Sequence, residues 1–176
     1  VSVEDELLQL ARDREAETQV ALGGMFLEPP DHLRRSLRDY LSRQVDYARM
    51  KRTDDRVPQL ATVQGGLVEL ACLGAKFSDD GRLEFNIQLE QEQQGWLVKR
   101  FRFHLRLPSS RNIRMVRIHL NPETWHDPLT VPRCHLHIDD SQAHVPFPIM
   151  NPRLVLHLIC EHIAPDFGAS PAEDLG

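Results

Sequence analysis

From Arg82 to Asp139 apolar and polar residues take turns along the chain. That two-residue rhythm admits little besides β-strands that each turn one face toward a core. In 100–107, Phe101, Phe103, Leu105 and Leu107 fall on one side, and Arg100, Arg102, His104 and Arg106 on the other. In 83–90, Leu83, Phe85, Ile87 and Leu89 oppose Glu84, Asn86, Gln88 and Glu90. In 134–139, Cys134, Leu136 and Ile138 oppose His135, His137 and Asp139. The stretch 113–120 is less regular, with Val116, Ile118 and Leu120 set against Met115, Arg117 and His119.

Turn residues divide this region. Ser78-Asp79-Asp80-Gly81, Glu92-Gln93-Gln94-Gly95, Pro108-Ser109-Ser110 and the proline-punctuated loop 121–132 bound predicted strands at 66–77, 82–91, 96–107, 113–121 and 133–139. Connections this short favour antiparallel neighbours. Two helices are predicted before the strands. The first is capped by Ser2 and ends at Gly23-Gly24; the second follows Pro29-Pro30 with Asp31 at its cap, and its apolar face reads Leu33, Leu37, Tyr40, Leu41 and Val45. A last helix opens at Asn151-Pro152 and stops before Pro165. Its apolar residues surround most of the axis, which predicts deep burial. The expected fold is therefore α+β: an antiparallel five-stranded meander with two N-terminal helices and one buried C-terminal helix. Residues 1–167 form one domain, and 168–176 read as a disordered tail.

Composition excludes several classes. With 41% apolar and 27% charged residues the chain is ordinary globular material. No apolar run approaches the roughly 20 residues of a membrane-spanning helix, so no membrane partner is expected. The acidic start, Glu4-Asp5-Glu6, is unlike a basic export signal. Three cysteines, Cys72, Cys134 and Cys160, are an odd number without CxxC spacing. They read as buried apolar residues in a reducing, cytoplasmic setting.

The net charge of -5 argues against indiscriminate binding to nucleic acid, but the charge is unevenly spread. Six acids crowd the first 17 residues, whereas Gly95 to Pro122 holds Lys99, Arg100, Arg102, Arg106, Arg111, Arg114 and Arg117 with no acid at all. All but three of the 21 basic residues are arginine, the side chain suited to bidentate contact with phosphate or carboxylate. If the strands pair in order, the face opposite the core carries Arg100, Arg102, Arg106 and Arg117 together with His104, His119, His135 and His137. An antiparallel sheet commonly solvates one charged face, and that plain reading competes with any chemistry.

Such a face has three uses. The first is binding or cleaving a phosphodiester, above all RNA, without a cofactor. His104, His119, His135 and His137 would then serve as base and acid, and Arg100, Arg102, Arg106, Arg114 and Arg117 would hold phosphate. The second is a divalent metal. His135-Leu136-His137 is an H-x-H pair on one strand face, and His144 is a third candidate ligand, with His126 in the preceding loop. The string through Asp139-Asp140 resembles the HxHxDH motif of metallo-β-lactamase-fold hydrolases, but aspartate stands at 140 where that motif has histidine. His157 and His162 read as core or boundary residues of the last helix. The third use is docking an acidic protein partner with no catalysis.

Phe101-Arg102-Phe103-His104, then His135-Leu136-His137, Pro146 and an apolar closing helix are similar to the closing half of small prokaryotic toxin and defence-island proteins, including the TumE-type toxins. The resemblance covers about 60 residues and leaves the N-terminal helices without a counterpart. It implies a nucleic-acid-directed toxin or a neutralised relative, with His135 and His137 at the paired-histidine position.

Overall fold

The computed structural model describes residues 26–63, 66–93, 95–122 and 131–166. Its elements are β1 (Phe26–Leu27), α1 (Pro30–Asp46), a 3-10 turn (Asp54–Arg56), β2 (Gln59–Thr62) and β3 (Val68–Lys76). There follow β4 (Arg82–Glu92), β5 (Gly95–Arg106), β6 (Met115–Leu120), β7 (Cys134–Ile138) and β8 (Val145–Pro146). The closing helix is α2 (Pro152–Leu158), a π-helical segment (Ile159–Ile163) and a last turn, α3 (Ala164–Asp166).

The five-stranded expectation is too small. One antiparallel sheet runs in the order β2-β3-β4-β5-β6-β7-β8, and β1 pairs with the stretch of β5 that β6 does not reach. The fold is mostly β. The extra strands left no rhythm in the sequence: β1 and β8 are two residues long, and all four residues of β2 are exposed. The helix expected from Ser2, the loop position His126 and the tail 168–176 lie outside the described residues.

Proline at the first helical position, rather than Asp31 at the cap, starts α1. Pro29 holds the cap position without a side-chain hydrogen bond, while Asp31 sits in the first turn and pairs with Arg34 at 3.2 Å. The spacing of Leu33, Leu37, Leu41 and Gln44 turns one stripe of α1 onto β2 and β3. Against that stripe the inward residues of the central strands form the core, with Phe85 stacked on Phe103 at 5.2 Å between ring centres.

The closing helix is half sunk, not enclosed. Val155, Leu156, Ile159 and Cys160 are buried, but Leu154 is 57% exposed, and His157 and His162 face outward. Leu154 lies on a side of this helix that the described residues leave exposed. Its π-helical turn is tied to α1 by Glu161, which accepts from Tyr40 at 3.2 Å and from Gln44 at 2.9 Å and pairs with Arg49. No helix of the described residues is long and apolar enough to cross a membrane.

The strand pairing matters most for the polar face. Arg102 lies across from His119, His104 from Arg117, Arg117 from His137, and His119 from His135. A bulge at Lys99 shifts the register between Gln88–Arg100 and Leu89–Val98, so the alternation that begins at Arg100 is set by this one extra residue.

Candidate functional site

Cross-strand register gathers the histidines. His119 comes from β6, His135 and His137 from β7, and one ligand atom from each lies within 4.8 Å of the others. His135 is 2% and His137 8% exposed, so these imidazoles are buried on the polar side of the sheet rather than solvated. Two more rings close the group. His104 on β5 places its Nε2 2.8 Å from the Nε2 of His119. His144, just before β8, stands edge-on to His135 and His137 with ring centres 4.9 and 4.4 Å away.

The surrounding groups orient these rings. His135 Nδ1 lies 2.6 Å from the carbonyl oxygen of Pro132. A carbonyl only accepts, so Nδ1 carries the hydrogen and Nε2 keeps its lone pair. In the His104–His119 pair one ring donates to the other, which fixes the plane of His119 whichever holds the hydrogen. His137 Nδ1 is buried with no partner at hydrogen-bonding geometry among the described residues, although the backbone of Ser141 is close enough to favour the protonated ring.

Burial and mutual proximity disfavour the charged form of His104, His119, His135 and His137. Burial, followed by His104, His135 and His137, pushes His119 down to about 3. Burial also takes His135 down to about 4, against the pull of the Pro132 carbonyl. His104 and His137 are lowered as well, burial being the main cause in both. Neutral imidazoles are what a metal ion requires of its ligands. Three of them with no acid among them match the donor set of a nitrogen-bound transition ion with an open position, and two nitrogens of a tetrahedral site sit about 3.4 Å apart. The three histidines could therefore hold a metal after small movements of their rings.

The arginines divide into two groups. Arg100, Arg102 and Arg106 project from β5 on the histidine side, and among the described residues their side chains make no ion pair or hydrogen bond. Arg102 and Arg106 are exposed, and Arg100 is partly so. Arg117 is anchored: its Nη2 donates to the carbonyl of Asp139 at 2.8 Å, and its Nε is buried with no hydrogen-bond partner among the described residues. Arg114 precedes β6 one residue out of phase with Met115 and Arg117, and so stands outside the row.

Asp139, expected on the histidine face, has another task. It ends β7 in a left-handed conformation with φ 51°, and its Oδ1 accepts from the backbone nitrogens of Arg114 at 2.6 Å and Met115 at 2.9 Å. It ties the start of β6 to the end of β7. Strand register brings His119 to the H-x-H pair His135 and His137, while His144, the third candidate expected from sequence, stands beside the same two rings. The sequence reading also missed His104 as a support for His119 and the Pro132 carbonyl as a support for His135. The cysteines are buried as expected, and burial pushes the Cys134 thiol up to about 12.

No protein-family model, no curated protein and no solved structure matches this chain.

Proposed function

We propose that this protein is a metal-dependent phosphodiesterase acting on RNA, with a divalent ion held by His119, His135 and His137. The observation that carries the reading is the convergence of these three imidazoles from two adjacent strands, their ligand atoms within 4.8 Å, beside Arg102, which has no ion-pair partner among the described residues. A bound ion supplies Lewis acidity at its open position. The chain's own residues contribute the rest. Arg100, Arg102 and Arg106 attract and align a polyanion, and His104 steadies His119.

An acid–base pair of histidines without metal is less well supported. A general acid must carry its proton near neutral pH, and rings held at about 3 and 4 do not. The resemblance carried by Phe101–His104 and His135–His137 favours a role in a prokaryotic toxin or defence system, and an antitoxin gene beside this one would strengthen it.

The test uses protein purified without a histidine tag and stripped with chelator. Calorimetric titration with zinc, manganese or cobalt is expected to give one ion per chain, lost in His119→Ala and His137→Ala. Labelled RNA should be cut by the metal-loaded protein and spared after chelation. Absence of stoichiometric uptake, or cutting undiminished by chelator, would overturn the reading. RNA binding unchanged in both histidine variants, with no cutting by wild type, would instead favour a non-catalytic dock that uses the same arginines, for nucleic acid or for an acidic protein segment.

A further inference from the structure

A cleft of about 410 Å³ opens on the polar face next to the histidine group. Arg82, Glu84 and Asn86 of β4, Arg102 and His104 of β5, and Leu73 of β3 line it. His104 belongs to both places, since it walls the cleft and touches His119. Whatever occupies the cleft therefore lies one imidazole away from the three-histidine group.

The lining specifies the chemistry of the occupant. Arg82 Nε and Glu84 Oε1 form an ion pair at 3.0 Å, and Arg82 Nη2 donates to the carbonyl of Leu73 at 2.7 Å. This arrangement is possible because residue 74 is glycine: a Cβ there would come within 2.6 Å of the Arg82 guanidinium. With that pair neutralised, Arg102 is the charged lining residue with no ion-pair partner among the described residues, and it calls for an anion. Opposite it, Leu73 is 59% exposed, an apolar surface of the kind a flat ring covers, and Asn86 offers both a donor and an acceptor. An anion site, an apolar shelf and an amide in one cleft fit a phosphate, a ring and the edge of that ring.

We infer that this cleft is a nucleotide subsite, in which Arg102 takes a phosphate, Leu73 supports the base and Asn86 reads the base edge. The inference rests on the proposed RNA-directed activity and deepens it, since it says which unit of the chain is gripped next to the metal ligands. Side chains two apart on β5 stand about 6.8 Å from each other, so Arg100 and Arg102 can follow successive phosphates of an extended single strand.

The test measures binding of the four ribonucleoside 5′-monophosphates to the full chain, with the parent nucleosides and inorganic phosphate as controls. Leu73→Glu and Asn86→Ala are the variants; Leu73 is exposed, so its replacement leaves the core untouched. Expected is saturable binding of at least one monophosphate, about tenfold tighter than its nucleoside and than phosphate. Leu73→Glu should abolish it and Asn86→Ala should change the order of preference among bases. Failure of all four monophosphates to bind at millimolar concentration, or binding indifferent to Leu73→Glu, overturns the subsite. Zinc uptake measured on the same samples separates the two ideas: loss of nucleotide binding with uptake intact condemns the cleft alone, while nucleotide binding without uptake condemns the metal and keeps the cleft.

Discussion

The Nε2 atoms of His104 and His119 lie 2.8 Å apart across neighbouring strands, so one imidazole braces another that faces the three-histidine group. His104 is thus a positioning residue. His104→Ala is expected to weaken zinc affinity by about 10- to 100-fold, as loss of such outer support usually does. His104→Gln, which keeps a hydrogen-bonding group there, should restore part of the loss. Competition with a chromophoric chelator reads both, and equal affinity in all three proteins would refute the bracing.

Acid should loosen the metal-free protein. His119 and His135 have ordinary values of 6.5 and are held at about 3 and 4 in the fold. Between these limits the unfolded chain binds protons that the folded chain refuses, so ν for the unfolded state is the larger and stability falls as pH drops. The contribution is complete above 6.5 and is lost progressively as pH falls toward about 4 for His135 and about 3 for His119. Melting temperatures at about pH 7.5, 6 and 5 should decline in that order, and less steeply in His119→Gln. A melting temperature that rises or stays level on acidification would contradict the burial of these rings.

Arg102 and Arg106 are exposed and lack partners among the described residues, so replacing both with alanine should leave folding unaffected. RNA affinity should fall about equally for all sequences, and the slope of log affinity against log salt should shrink by about 0.7 for each contact removed from a single strand. Filter binding across a salt series measures it. An unchanged slope would place the polyanion elsewhere.

Asp139 caps two backbone nitrogens at the start of β6 while holding a positive φ. Asp139→Ala removes the acceptor and strains the turn, with an expected cost of about 1–3 kcal/mol. Asp139→Asn keeps an acceptor oxygen and tolerates the left-handed region, so its loss should be clearly smaller. Urea unfolding distinguishes the two, and equal stabilities would show that the cap contributes nothing.

The central strands could be read from the chain because burying one face of a sheet forces a two-residue period, as in Phe101, Phe103 and Leu105 against Arg102, His104 and Arg106. Period alone placed imidazole and guanidinium groups on a common side. It failed for β1, β2 and β8, which are too short or too exposed to carry a pattern, and for Leu154, an apolar side chain of α2 that is largely exposed.

Register belongs to the tertiary structure. Which histidines meet depends on how β5, β6 and β7 slide against each other, and no spacing within one strand encodes the pairings of His119 with His135 or His104 with Arg117. Burial was equally out of reach. A histidine at an alternating polar position reads as solvated, yet His135 and His137 are enclosed by neighbouring rings and by the approach to β8. The amino-acid order thus determined the sides of the strands. Packing between strands decided the site, because short-range sterics set side-chain direction whereas proximity across a sheet is a property of the assembled whole.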